Sequence, residues 1–429
     1  MNPEDKNSLW SNRDFLRLWF GQSVSQFGNQ VTQLALPSIA ILLLHFSIFE
    51  IGLLGAIEFI AFPAIGLFVG VWVDRLPRRP ILVICNLGRF ITLATIPGAY
   101  LVASLSAIQL FVIAGVNGVF TVFFDVAYQS YLPSVVDKSD LVEANSKLQT
   151  SVSAASVAGP LMAGILIDRI GAALSVALDA FGYLASDLGL ASIRSGEPGA
   201  KERRGGAEQS PFFEELKEGV SMIIHTRILS SLTALLMTAN LGATIANSVF
   251  LFFAYNELNL TPTIVGFIGL FGGVAFLLGA LTASRVSKKL GIGRALTLAI
   301  LSGFAYVGFP LAKVFSPVPT LVFFSLILTY PVLIFNITAL SMMQRVTPDR
   351  ILGRVNATRR TFSWGMIPIG WLVGGILGGT IGLSATMVVG GVIAGSSALW
   401  AFFGPIYHLR EENEKDAFAT LKPSDAVQT

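Results

Sequence analysis

Hydrophobic positions in this chain run together instead of alternating with polar ones. Apolar stretches of about 20 residues, the length that crosses a bilayer as an α-helix, recur at roughly 17–44, 50–73, 81–104, 107–130, 147–168, 172–193, 230–256, 262–284, 294–314, 317–343, 358–380 and 383–408. They predict an all-α membrane protein with twelve transmembrane helices. The polar breaks alternate in character. The break at 74–80 carries Arg75, Arg78 and Arg79; that at 285–294 carries Arg285, Lys288, Lys289 and Arg294; that at 344–360 carries Arg345, Arg350, Arg354, Arg359 and Arg360. The intervening breaks, "HFSIFE" and "SLSAI", have almost no basic residues. Basic residues in short loops mark the cytoplasmic side, so the arginine loops and both termini are expected in the cytoplasm. The opening "MNPEDKNSLWSNRDFLRLWF" has no short apolar run followed by a small-residue cleavage site, so the first span is expected to be a permanent helix.

The sixth and seventh spans are separated by "RSGEPGAKERRGGAEQSP", glycine-rich and charged, which reads as a cytosolic linker, followed by an amphipathic segment "FFEELKEGVSMIIHTRIL" expected along the membrane surface. The expected organisation is a six-helix bundle over 1–194, a linker over 195–229, a second six-helix bundle over 230–408 and a polar, disordered tail over 409–429. The halves repeat. "GPLMAGIL" at 159–166 matches "GWLVGGIL" at 370–377, and "DLVEANS" at 140–146 matches "ILGRVNA" at 351–357, both at a shift of 211 (370 − 159; 351 − 140); "IGLLG" at 51–55 matches "VGFIG" at 265–269 at a shift of 214 (265 − 51). Parallel six-helix repeats enclose a substrate site near the bilayer midplane.

Composition supports the membrane reading: 53% of residues are hydrophobic and 13% charged, against about 25% charged in soluble domains. The single cysteine, Cys85, excludes an internal disulfide, and His45, His225 and His408 are too scattered for a metal cluster. No cofactor or metal is expected. No phosphate-binding G-x-x-x-x-G-K-[ST] loop and no Ser/His/Asp constellation is present, so neither nucleotide hydrolysis nor an enzymatic activity is indicated.

Polar side chains inside a span cost free energy and tend to face a cavity or the bundle interior. In the first span Gln22, Gln26, Asn29 and Gln33 fall on one helical face, as do Asn240, Thr244 and Asn247 in the seventh. Gln26 maps onto Asn240 and Gln33 onto Asn247 at the shift of 214, so the two stripes are expected to line a central substrate cavity. The alternative is that these amides join neighbouring helices, at about 0.6 kcal/mol each. The charged candidates within spans are Glu58, Arg89, Asp125 and Asp179. Asp125 maps onto Asn336 at the shift of 211, which adds Asn336 to the cavity set. A carboxyl in a low dielectric is costly as an anion and is suited to exchanging protons. Glu58, the deepest, is the expected proton carrier. Asp125 divides evenly between coupling and structure, Asp179 reads as structural, and Arg89 is either a counter-ion or snorkels to the cytoplasmic surface.

Two six-span halves, a basic linker and "GVWVDRLPRR" resemble the major facilitator superfamily of secondary transporters. Its loop after the second helix follows G-x-x-x-D-[RK]-x-G-[RX]-[RK], matched by Gly70, Asp74, Arg75, Arg78 and Arg79, with Pro77 in place of the second glycine. "ASVAGPLMAG" at 155–164 is similar to the family's fifth-helix antiporter pattern through Gly159, Pro160 and Gly164, with Ala155 and Ala163 at glycine positions. "FFDVAYQSYLPSVV", "LDAFGYL" and "VTPDRILGRVNATRRTFSWG" resemble the bacterial drug:proton antiporter branch that contains macrolide and siderophore exporters. The likeness runs over roughly residues 10–410. The fourth-helix arginine of many such antiporters falls at Ala114 and the branch's first-helix acid at Asn29, which shifts the weight to Glu58. The resemblance implies a monomeric exporter of a small, amphipathic organic compound in the bacterial plasma membrane, driven by proton antiport and alternating access. Its partners are then cargo, protons and membrane lipids, with no nucleic acid. A lipid or lysolipid flippase of the same fold, or a non-transporting membrane sensor, are the alternatives. Within this reading Asp74 is a conformational latch that accepts hydrogen bonds from the N-terminal amides of the eleventh span, with Gly70 allowing close approach and the arginines keeping the turn cytosolic.

Overall fold

The computed structural model describes residues 9–137, 139–193, 212–348 and 351–407, apart from the side chains at 67, 71, 74, 212, 213, 215 and 216. The linker residues 195–211, Arg350, His408 and the tail 409–429 lie outside the described residues. Helices α1 (Arg13–Ser38), α2 (Ile48–Arg75), α3 (Arg78–Leu101), α4 (Ala107–Tyr131), α5 (Leu141–Ile170) and α6 (Ala172–Ala191) come first. Then follow α7 (Phe212–His225), α8 (Arg227–Phe252), α9 (Pro262–Leu290), α10 (Ile292–Leu301) with a 3-10 continuation over Ser302–Lys313, α11 (Pro317–Val346), α12 (Leu352–Thr380), α13 (Leu383–Ser396) and the short α14 (Leu399–Phe402).

Local sequence sets several starts. The Asn12 side chain accepts from the amides of Asp14 and Phe15 at the head of α1, Ser47 and Glu50 form a reciprocal capping box at α2, and Ser106 caps α4. Among the described residues eleven helices are long and apolar enough to cross a membrane. The first expected span forms as α1 but stands outside that set. The glutamines and asparagine that make it chemically interesting also lower its apolar content.

The chain divides into two compact units, Met1–Ala207 with Ala254–Leu270, and Glu208–Phe253 with Phe271–Thr429. In the first, α1 packs on α5 and α6, α3 on α4 and α6, and α2 on α4; in the second, α8 packs on α12 and α13, and α11 and α13 pack on the 3-10 segment. The internal repeat is visible in backbone geometry. The first helix of each half ends in a π-helical turn, Ile39–Leu43 and Phe253–Glu257, followed by a non-glycine residue in the left-handed region, His45 (φ 51°) and Asn259 (φ 50°). Both features recur at the shift of 214 (253 − 39; 259 − 45). Gly171 (φ 87°) joins α5 to α6 and Gly382 (φ 85°) joins α12 to α13, at the shift of 211 (382 − 171), each in a conformation that favours glycine.

Large apolar side chains such as Ile91, Ile108 and Leu281 are exposed, as on faces that meet lipid. The amphipathic helix α7 is held by packing on α12, where Arg354 bonds to Glu218 and a Cβ at Gly219 would meet the Thr358 hydroxyl at 2.5 Å.

Candidate functional site

The most polar interior region lies within the first unit, where α1, α3, α4 and α6 meet. At its base the Ser186 hydroxyl on α6 accepts hydrogen bonds from the Gln22 amide on α1 (2.8 Å) and the Asn86 amide on α3 (3.0 Å), all three side chains buried. Gln22, expected at a substrate cavity, is thus committed to joining helices. One turn deeper along α3 stands Arg89, only 6% exposed. Its guanidinium lies over the rings of Phe124 (4.8 Å) and Tyr183 (5.1 Å) and donates to the Phe120 carbonyl (3.0 Å). Such a cation between aromatic faces is stabilised without water. Arg89 therefore does not snorkel; it sits among carboxylates and acts on Asp179 and Asp187 of α6.

Asp179 is 0% exposed. Its backbone presses on α1 at Gly28, where a Cβ would fall 2.6 Å from the Asp179 Cα and 2.8 Å from its Oδ1. Neither carboxylate oxygen makes a hydrogen bond of ordinary geometry, nor does the neighbouring hydroxyl of Thr32 on α1. Asp187, about two turns further along α6, is buried with one oxygen unbonded and the Asn86 amide close by. Asp125, on α4, is half-buried and acts on Tyr183.

Glu58 lies mid-helix in α2, half-buried, with its backbone carbonyl against Gly118 of α4. Among the described residues its carboxylate makes no hydrogen bond or ion pair. Along the α1 stripe Gln26 and Asn29 are half-buried and Gln33 is exposed, none with a hydrogen bond among the described residues. The corresponding stripe on α8 is more engaged. Asn240 donates to the Ser363 carbonyl (2.8 Å), Asn247 donates to the Tyr306 hydroxyl (2.7 Å), and Thr244 is buried where a Cβ on Gly370 would meet it at 2.7 Å. Asn336 on α11 is exposed.

The Asp74 side chain lies outside the described residues. The arginines after it do more than mark topology: Arg78 donates to the Ser130 carbonyl near the end of α4, and Arg79 to the Ala191 carbonyl at the end of α6 (2.7 Å), while Arg75 is exposed. Cations at these orphan carbonyls are favourable for both bond and dipole. Gly70 has nothing among the described residues of its own unit within 4 Å of a would-be Cβ. The antiporter-pattern residues do make close approaches. A Cβ on Gly159 would meet Gln30 of α1 at 2.6 Å, one on Gly269 would meet the Pro160 ring at 2.7 Å, and Gly164 abuts Pro262. The Asp168 carboxylate on α5 accepts from the Thr263 amide at the start of α9 (2.9 Å).

Sequence reading missed Asn86, Ser186 and Asp187. A signal existed: in "LDAFGYLASDLGL" Asp179, Tyr183 and Asp187 recur every four residues, one face of a helix.

This arrangement of packed apolar helices in two repeated halves is that of a multi-pass membrane transporter. The chain belongs to the Major Facilitator Superfamily, whose family model matches residues 18–363. It is 24% identical over 332 residues to the multidrug efflux pump Tap of Mycolicibacterium fortuitum, covering 75% of this chain and 79% of that protein. Its fold is similar to that of the nucleoside transporter NupG (TM-score 0.68, 16% identity, 96% of this chain and 99% of that one). It is also similar to a bacterial homolog of the human lysosomal transporter Spinster (TM-score 0.68, 14% identity, 96% and 98%).

Proposed function

We propose that this protein exports a small, amphipathic organic compound across the bacterial plasma membrane in exchange for protons, by alternating access, with both termini cytoplasmic. The observation that carries the reading is Glu58, a mid-helix carboxyl without a protein partner among the described residues, in a chain similar to a multidrug efflux pump. An anion at mid-bilayer costs about 2.5–3.5 kcal/mol on insertion scales, so Glu58 rests protonated when its surroundings are dry and releases the proton when water reaches it. Release frees the site for cargo; return of a proton accompanies departure of cargo on the other side. Gln26, Asn29, Gln33 and Asn336 are the amides that contact cargo, because their hydrogen-bonding capacity is not spent within the fold. Asp74 acts as the latch of one transport state.

The test is ethidium uptake into proteoliposomes under an imposed pH gradient, with proton movement followed in parallel. Wild type accumulates ethidium against its gradient; Glu58→Gln, fixed in the neutral form, exchanges it passively without accumulation. Unaltered proton-driven accumulation by Glu58→Gln removes Glu58 from the mechanism, and the absence of any pH-driven ethidium movement in wild type refutes proton-coupled export of this class of compound.

A further inference from the structure

We propose that Asp179, together with Arg89 and Asp187, forms an internal proton-holding site inside the first unit, a second exchangeable carboxyl beside Glu58. The inference deepens the proton-exchange reading above and rests on it for its role in transport, although the site itself is argued from geometry.

The argument begins with charge. From α3 the cluster is faced by Arg89 and Cys85, from α4 by Asp125, and from α6 itself by Tyr183 and Asp187. Helix α1 carries its charges, Arg13, Asp14 and Arg17, in its first two turns and none over residues 18–38, and α5 carries its charges near its ends, Glu143, Lys147, Asp168 and Arg169. One guanidinium, which stays protonated in proteins, thus acts on both buried carboxyls of α6. Among the described residues no carboxylate is in ion-pair contact with it. In a low dielectric such a group cannot ionise fully, and its protons are shared among its members.

Hydrogen bonding says which member holds the proton. An ionised Asp179 would be a fully buried anion with no cation in contact and only the Thr32 hydroxyl near enough to donate to it, a costly arrangement. A protonated Asp179 has an O–H to give, and the unbonded hydroxyl oxygen of Thr32 is close enough to take it. Protonation therefore removes the buried charge while keeping the Thr32 contact. The step is a proton transfer alone: an O–H bond forms at Asp179 as one breaks on Asp187 or on water.

Position supplies the route and the coupling. At about 1.5 Å per residue, Asp187 lies about 6 Å from the end of α6 that meets the arginine loop, and Asp179 about 18 Å from it. Arg89 lies about 16 Å into α3, level with Asp179. The three residues form a ladder from the helix end to the α1–α6 contact. There Asp179 touches Gly28, the neighbour of Asn29 in the proposed cargo stripe, so a shift of α1 on cargo binding changes the surroundings of this carboxyl directly.

Infrared difference spectroscopy of the full chain in liposomes, recorded between acidic and neutral buffer, tests the site without requiring transport. Wild type is expected to show a protonated-carboxyl band that moves when the protein is made with aspartate bearing a heavy carboxyl carbon. Asp179→Asn removes that aspartate component, Glu58→Gln leaves it in place, and Thr32→Val shifts its frequency. The Thr32 variant and the labelled wild type decide the matter even if Asp179→Asn fails to reach the membrane. Absence of an aspartate band, its persistence in Asp179→Asn, an unshifted band in Thr32→Val, or its loss on adding sodium at constant pH overturns the proposal, the last in favour of a metal-cation site. An aspartate band in liposomes that show no pH-driven ethidium movement supports the site and counts against the export reading alone.

Discussion

Replacing Gly28 by alanine tests the packing on which the inner cluster depends. The added methyl would stand 2.6 Å from the Asp179 Cα and 2.8 Å from its Oδ1, far inside van der Waals contact. The nearer atom is backbone, so no rotamer change relieves the clash; α1 and α6 must move apart. Overpacking of this kind costs roughly 1–3 kcal/mol. Against it stands the helix preference for alanine over glycine, about 1 kcal/mol. The second contribution can be removed by comparison with Gly98→Ala on α3, an exposed position whose would-be Cβ meets nothing within 4 Å. Both variants gain the same propensity, so their difference in stability isolates the clash. Thermal unfolding of the detergent-purified proteins should place Gly28→Ala below Gly98→Ala by about 1–3 kcal/mol. Equal stability would mean that α1 and α6 are not in contact at Asp179, and the confinement of that carboxyl would fail with it.

The Ser186 hydroxyl accepts from two buried amides; Ser186→Ala should destabilise by about 1–3 kcal/mol for the donors left unpaired, and Gln22→Leu in the same background should recover part of the loss in the same unfolding assay. The partly exposed Glu218–Arg354 pair should show a coupling of about 0.2–1 kcal/mol in a double-mutant cycle, and zero coupling would mean that packing, including Ile223 in the core and Gly219 against α12, holds α7 without help from this pair. Single cysteines at Arg75 and Lys289, both exposed and compared against a background in which Cys85 is buried, should resist impermeant labels applied outside intact cells; labelling at either inverts the topology. Asp74→Asn should lower ethidium transport at unchanged membrane abundance, and wild-type rates across several pH gradients would remove the latch.

What could be read in advance followed from what one helix encodes by itself. Each span announced itself because a bilayer demands an uninterrupted apolar run, and α1 was found by the same rule even though Gln22, Gln26, Asn29 and Gln33 dilute it. The repeat was visible as weak matches at 211 and 214. Backbone geometry carries the same shifts far more sharply, in the paired π-turns and in His45 with Asn259. Side-chain partnerships were harder. That Gln22 bonds across to Ser186, or that Arg89 enters the ring pair of Phe124 and Tyr183, depends on how α1, α3, α4 and α6 align, and no single-helix pattern contains that register. The arginines at 78 and 79 show the same divide. Their charge identified a loop, whereas their hydrogen bonds to the ends of α4 and α6 are tertiary facts.

The two halves repeat in backbone but not in charge. Glu58, Asp125, Asp179 and Asp187 all lie in α2, α4 and α6, whereas α8, α10, α11, α12 and α13 contain no carboxylate. At the positions related by the repeat, Asp125 gives way to Asn336 and the other acids to Gly272, Gly390 and Ala398, and the amides of α8 are tied to Ser363 and Tyr306 while Gln26, Asn29 and Gln33 of α1 make no hydrogen bond among the described residues. In the proposed alternating access, the backbone repeat is what would allow two states of similar energy. Coupling requires the opposite, a difference between the halves that lets protonation favour one state. In the proposed proton exchange, the placing of Glu58, Asp125, Asp179 and Asp187 in one half supplies that difference: a proton gained or lost there changes the solvation energy of the first unit only. On this reading the cargo amides nearest the acids, those of α1, sense the proton most strongly, and the α8 stripe serves to hold its own unit rigid while the other one responds.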